Sequence, residues 1–195
     1  MTPLWQETGT GVAFWVLFGV FGVGEGVMRV RSRLNRLGAA SEPWSQVIVA
    51  VSIIGGLLGG LAAASVDSAD LRAGRWPVFV LGLVLMALGI FVRQWSIQTL
   101  GRFFTGDVRV SGHQPVIDRG PYRWARHPSY GGLIIFFIGF GLSLTNFISL
   151  VILAVVPTAG LIARIHFEER ALLATLGEPY RRYAATRKRL IPGVW

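Results

Sequence analysis

Two Arg, a His, two Tyr and a Trp are packed into residues 120–130, Gly-Pro-Tyr-Arg-Trp-Ala-Arg-His-Pro-Ser-Tyr, directly before a long apolar run. Gly120-Pro121 favours a turn, and Pro128 suits the first position of a helix. His127 would then stand at a helix start, where free backbone N–H groups and the helix dipole favour an anionic group. A ligand carboxylate would be at home there, with Arg126 alongside. Tyr122 and Trp124 also suit the role of interfacial anchors, a reading that accounts less well for His127 and Tyr130.

A second cluster, Arg164-Ile165-His166-Phe167-Glu168-Glu169-Arg170, lies about forty residues further on, at the far end of the next apolar stretch. Two carboxylates just beyond a spanning helix must be solvated, paired or used. Arg164 precedes Glu168 and Glu169 by four and five residues, so one reading is an ion pair on the helix surface. In the other, Glu169 accepts hydrogen bonds from an amine or from ribose hydroxyls, and Arg164 grips a carboxylate or phosphate with its fork of donors. His113, His127, His166 and the two Glu lack His-x-x-x-His or His-Glu-x-x-His spacing, so no metal is expected. With no cysteine, disulfides and thiol chemistry are excluded. The glycines lie in apolar runs, and there is neither a phosphate-cradling Gly-rich loop nor a Gly-x-Ser-x-Gly elbow.

The elements that position these clusters are apolar. The chain has 195 residues, 52% hydrophobic and 15% charged, which reads as an all-α integral membrane protein forming a single membrane domain. Five transmembrane helices are expected, over about 11–28, 47–66, 78–98, 131–145 and 147–163. The first is interrupted by Glu25, and the last two form a hairpin split at Asn146. A helix needs about 20 residues to cross about 30 Å of hydrocarbon, so 131–163 is too long for one span. A tail at about 166–186 has apolar residues at helical spacing (Phe167, Leu172, Leu173, Leu176, Tyr180, Tyr183), interrupted by Gly177 and Pro179. Gly55-Gly56-Leu57-Leu58-Gly59-Gly60 offers close helix approach, inside the bundle or in a dimer.

The net charge of +9 is carried by Arg with Lys188 as the single lysine. Because these charges flank apolar runs, they read as a membrane face toward anionic lipid and not as a nucleic-acid surface. Arg29, Arg31, Arg33 and Arg36 follow the first run, and further Arg fill 93–128 and 164–195. The loop at 67–77 has only Arg72 and Arg75, offset by Asp67 and Asp70. Positive-inside orientation puts the N-terminus outside, and the segments 100–130 and 164–195 in the cytoplasm with the C-terminus. The N-terminal flank has Glu7 and no Lys or Arg, unlike a secretory signal.

Gly-Pro-Tyr-x-x-x-Arg-His-Pro-x-Tyr at 120–130, Glu-Glu at 168–169, Gly-Glu-x-Tyr at 177–180 and Arg-Leu-Ile-Pro at 189–192 together resemble the isoprenylcysteine carboxyl methyltransferase family, in a wider group that includes phospholipid N-methyltransferases. The resemblance covers about residues 100–195. It implies an integral membrane enzyme that transfers a methyl group from S-adenosyl-L-methionine to a lipophilic acceptor entering from the bilayer. By position it implies cofactor contacts from Tyr122, Arg126, His127, Pro128, Ser129, Tyr130 and Glu169. The strip His113, Gln114, Val116 and Ile117 is similar to the family's His-x-Leu-Val segment. Its spacing to Gly120 is one residue longer, so either His113 or Gln114 takes the histidine's role. Arg164 takes the place of the substrate-binding Arg. Glu168 or Glu169 would accept a proton from an amine acceptor; a carboxylate acceptor, mildly favoured by Arg164, has none to lose. The alternatives are a phospholipid or amine N-methyltransferase, an NADPH-dependent membrane sterol-type reductase, with the Arg-rich 93–126 segment meeting the 2′-phosphate, and a non-enzymatic membrane protein.

Overall fold

A computed structural model of the chain describes residues 3–34, 43–71, 74–104 and 115–190. Among these residues six α-helices follow one another: α1 (Thr10–Leu34), α2 (Pro43–Ala63), α3 (Arg75–Leu100), α4 (Pro128–Ser143), α5 (Phe147–Leu176) and α6 (Glu178–Thr186). Short 3-10 turns lie at Asp67–Ala69, Gly101–Phe103 and Gly120–Arg123. Among the described residues no strand forms, only two isolated β-bridges.

Among the described residues four helices are long and apolar enough to cross a membrane: α1, α2, α3 with the turn after it, and α5. These account for four of the five expected spans; at the place of the other, the chain forms a shorter apolar helix, α4. With 16 residues, α4 rises only about 24 Å, less than a hydrocarbon core of about 30 Å. It is bounded by the polar motif before Pro128 and by the Asn146 turn, and it hides between its neighbours. Phe136, Phe137 and Phe140 are fully buried, and Phe21 of α1 stacks on Phe136 at 3.9 Å between ring centroids. The long helices instead expose apolar stripes, such as Val12, Val16, Val20, Val23 and Val27 on α1. Those residues recur three to four apart, one face of a helix turned to lipid.

Glycines set how closely the helices approach. A Cβ on Gly139 of α4 would lie 2.6 Å from the carbonyl oxygen of Gly82 in α3, and one on Gly132 would lie 2.7 Å from the backbone N of Arg93. The two helices touch backbone to backbone, as small residues permit between apolar helices. Gly56 and Gly60 of α2 face Pro157 and Leu153 of α5, where a Cβ would come within 2.9 and 2.7 Å of their side chains. Of the two readings of the glycine-rich run, packing inside the bundle is the one found at these two positions.

The α4–α5 hairpin forms where expected. Asn146 caps α5 by accepting from Ser149 N at 3.0 Å. Its Nδ2 donates to Val66 O at 3.0 Å and Asp70 Oδ1 at 3.3 Å, tying in the loop after α2. Beyond residue 163, however, α5 does not stop. It runs as one helix of 30 residues, about 45 Å, and so carries residues 164–176 past the depth of a bilayer core. The tail read at 166–186 is thus the end of α5 plus α6, parted at Gly177, whose φ of 59° suits a residue without a Cβ.

Candidate functional site

The motif at 120–130 folds as a tight 3-10 turn followed by the start of α4. Gly120 has φ 55°, and a Cβ there would lie 2.8 Å from Thr99 Oγ1. Pro128 opens α4 as expected, with His127 as its N-cap residue. α6 and the segment after it hold this turn in place. Tyr183 donates to the carbonyls of Tyr122 (2.7 Å) and Ala125 (3.4 Å). Residues 188–189 then run alongside 125–127: Arg126 N donates to Lys188 O at 2.8 Å and His127 N to Arg189 O at 2.9 Å. Sequence neighbours from the end of the chain thereby become a strap across the motif.

Under the strap lies Glu169, 7% exposed. Its Oε1 receives Arg126 Nη2 at 3.1 Å and stands 3.3 Å from His127 Nε2; its Oε2 receives Arg189 Nε at 2.9 Å. Opposite charge and donated hydrogen bonds both favour the ionised carboxylate here. The two motifs of the sequence reading therefore meet in one cluster. The His127 ring lies nearly parallel to that of Tyr130, 5.7 Å between centroids.

A second polar group abuts the first. Tyr130 Oη donates to Glu168 Oε2 at 2.6 Å and accepts from Arg164 Nε at 2.7 Å. Arg164 Nη1 donates to Ser45 Oγ at 3.2 Å, at the start of α2. Arg164, 6% exposed, thus reaches across helices to α4 and α2. Glu168 joins the same network through Tyr130, and Glu169 faces the strap.

Among the described residues four buried donors lack a hydrogen-bond partner, Trp5 Nε1, Arg126 Nε, Tyr180 Oη and Arg187 Nε, and the site holds Tyr180 Oη and Arg126 Nε. Burial, and then the nearby carboxylates of Glu169 and Glu168, push the Tyr180 phenol well above its ordinary range, so it is a neutral donor. Buried donors are normally satisfied. These two sit beside Glu169, where a ligand rich in acceptor atoms would satisfy them. A cofactor with a carboxylate and a nucleoside has such acceptors, and hydroxyl or ammonium donors for the carboxylates, so the residues present fit S-adenosyl-L-methionine.

Ser129 is buried and receives Arg93 Nη1 at 2.6 Å. Val116 and Ile117 are half-buried ahead of the motif. His113 and Gln114 lie outside the described residues. Trp124 is 45% exposed, edge-on to Trp95 and under the Arg123 guanidinium, in keeping with an interfacial anchor. His166 is exposed and turns back to Ile162 O. Sequence reasoning did not assign Ser45, Glu25, Arg93, Tyr180, Tyr183 or Arg189 to a site. The polar break that Glu25 makes in α1 was a usable signal; the others come together only through the fold.

Taken together, the apolar helices and the buried polar cluster at one end define an all-helical integral membrane protein with a strapped polar cluster. Residues 80–174 match the model of the isoprenylcysteine carboxyl methyltransferase (ICMT) family, so the resemblance read from the motifs holds over a segment that includes 120–130 and Glu168-Glu169. Over 112 residues the chain is 36% identical to protein-S-isoprenylcysteine O-methyltransferase A of Arabidopsis thaliana, covering 56% of this chain and 57% of that protein. Over 106 residues it is 35% identical to protein-S-isoprenylcysteine O-methyltransferase of Saccharomyces cerevisiae, covering 53% and 44%. The aligned part thus spans about half the length of these curated relatives. The fold is similar to that of a eukaryotic intramembrane Ras methyltransferase, ICMT, with TM-score 0.68 and 22% identity, over 93% of this chain and 67% of that one.

Proposed function

We propose that this chain is an S-adenosyl-L-methionine-dependent methyltransferase acting on a lipophilic acceptor, with a carboxylate as the favoured methyl-accepting group. The observation that carries the reading is the cluster of Arg126, His127, Glu169 and Arg189 under the strap, with Tyr180 Oη and Arg126 Nε buried and unpartnered beside it. The matched family segment and the names of the relatives support it. The bound cofactor supplies an activated methyl group on a sulfonium. The α4 N-terminus with Arg126 and His127 receives the cofactor's carboxylate, Glu169 accepts from its hydroxyl or ammonium groups, and Tyr180 donates to it. Tyr122, Pro128, Tyr130 and the 113–117 strip complete the proposed cofactor contacts, while the Ser129 hydroxyl is held by Arg93.

Arg164 holds the acceptor's carboxylate, and Tyr130 and Ser45 fix its guanidinium. A carboxylate nucleophile has no proton to lose, so these residues act by aligning the two partners and excluding water. α6 and the strap provide that exclusion. For an amine acceptor, Glu168 is the group in place to take a proton. The Arg-rich ends of the helices support an orientation with the site and the C-terminus in the cytoplasm and the N-terminus outside.

Calorimetric titration of the detergent-purified protein with S-adenosylhomocysteine, with NADPH in parallel, tests the class. Saturable binding of S-adenosylhomocysteine alone is expected. Binding of NADPH alone would assign a reductase, and binding of neither by folded protein would remove the enzymatic reading. Labelled methyl transfer to prenylcysteine, phospholipid and other amphiphilic acids then separates O- from N-methylation.

A further inference from the structure

The first transmembrane helix carries one carboxylate, Glu25, and the third ends its apolar run at Arg93. Neither belongs to the motifs above, and no role in the proposed reaction has been assigned to either. They meet as a bidentate pair: Arg93 Nε donates to Glu25 Oε1 at 2.7 Å and Arg93 Nη2 to Glu25 Oε2 at 3.0 Å. The side chains are 6% and 17% exposed. The remaining arm of the guanidinium, Nη1, donates to Ser129 Oγ at 2.6 Å. Ser129 is two residues from His127 and next to Tyr130, in the first turn of α4.

A charge at membrane depth is expensive unless paired, and such residues mark function more often than packing. Apolar side chains would join α1, α3 and α4 without that expense, as they do at Phe21 and Phe136. The backbone closes in at the same place: a Cβ on Gly132 would lie 2.7 Å from Arg93 N and 2.9 Å from Gly89 O. Gly132 is three residues after Ser129, so the hydroxyl sits one turn from a close backbone approach of α3 and α4. The planar fork of Arg93 is directional in a way that packing is not. It fixes the rotation of the α4 N-terminus about its axis, which sets where His127 and Tyr130 point.

We propose that Glu25 and Arg93 are positioning residues for the proposed methyl transfer: Glu25 orients Arg93, and Arg93, through Ser129, sets the α4 N-terminus that holds the cofactor. The inference rests on the methyl-donor reading above. It makes α1, which lies outside the matched family segment, part of the working unit.

The test compares wild type, the neutral pair Glu25→Gln/Arg93→Gln, Arg93→Lys, Ser129→Ala, and the neutral pair combined with Ser129→Ala. S-adenosylhomocysteine affinity, kcat with a labelled donor, and thermal melting of the unliganded protein are read for each. The neutral pair removes both buried charges and leaves none unpaired. Expected is folded protein whose S-adenosylhomocysteine affinity falls about tenfold, the scale of one charge-assisted hydrogen bond. Adding Ser129→Ala to the neutral pair is expected to weaken binding less than about twofold further, since residues acting through one another are not additive. Arg93→Lys keeps the charge Glu25 needs and loses the fork; it is expected to fold and to lose affinity similarly, and it carries the test alone if the neutral pair does not fold. Wild-type affinity and kcat in these variants, lowered melting with unchanged affinity, or full additivity with Ser129→Ala would each overturn the positioning role. If wild type itself does not bind S-adenosylhomocysteine, the methyl-donor reading fails first, and this inference with it.

Discussion

Glu169 gathers three side-chain partners from two places in the chain, 126–127 and 189. Removing it leaves three donors without their acceptor, and losing charge-assisted bonds of about 1.5–3 kcal/mol each is a large effect. Glu169→Ala and His127→Ala are expected to weaken S-adenosylhomocysteine binding by about tenfold or more, measured by calorimetry; unchanged affinity in both would remove the pocket assignment. Arg164 belongs to the neighbouring group with Tyr130 and Ser45. Arg164→Ala is therefore expected to lower turnover with the acceptor while cofactor affinity stays within about twofold, a split read by comparing steady-state kinetics with titration. Wild-type turnover in that variant would end its substrate role. Tyr183, whose phenol burial pushes well above the ordinary range, remains a neutral donor. Tyr183→Phe removes its bonds to the Tyr122 and Ala125 carbonyls and is expected to cost about 1 kcal/mol in denaturation.

At the scale of elements, α4 is the piece on which the site depends. It is too short to cross a bilayer core unaided and is held by contact with α3 and α5. Gly139→Val would place a side chain where the Gly82 carbonyl lies 2.6 Å from the glycine's Cβ position. No side-chain rotation relieves a clash with backbone, so the helices must part. A loss of about 3 kcal/mol is expected, visible as a lowered melting temperature together with lost cofactor binding; a variant that melts and binds like wild type would contradict this packing. The hairpin was legible in the sequence because Asn146 is a polar break in an over-long apolar run and a good helix cap. The continuation of α5 to Leu176 was less legible. Hydropathy reports where a helix leaves lipid, not where it ends, and nothing in 164–176 breaks a helix until Gly177.

For the whole molecule, the distribution of Arg gives an orientation that can be checked directly, since the chain has no cysteine to remove. Thr8→Cys, before α1, and Ala174→Cys, on the α5 extension, are both exposed positions. In intact cells a membrane-impermeant maleimide is expected to label the first, and to label the second only after permeabilisation. The reverse pattern would invert the topology and place the strapped site outside. The same bundle explains how polar groups stay at membrane depth: Glu25, Arg93 and Ser129 satisfy one another, and the exposed surface of the long helices is left to Val, Leu, Ile and Phe.

The sequence by itself determined that the protein is helical and membrane-embedded, where its hairpin turns, that Pro128 opens a helix behind a polar motif, and which His, Arg and Glu are candidates for the chemistry. Those properties follow from local composition and spacing, which hydropathy, helix-capping preferences and motif patterns report directly. Only the tertiary structure decided that α4 is a short buried helix, that residues 188–189 lie across 125–127, and that Arg164 looks to Tyr130 and Ser45. It also decided that Glu25 and Arg93 meet at Ser129. Each of these depends on helix rotation and on pairing between residues 34 to 119 apart in the chain. A side chain's neighbours across helices are set by packing against backbone glycines, and no local pattern in the chain encodes them.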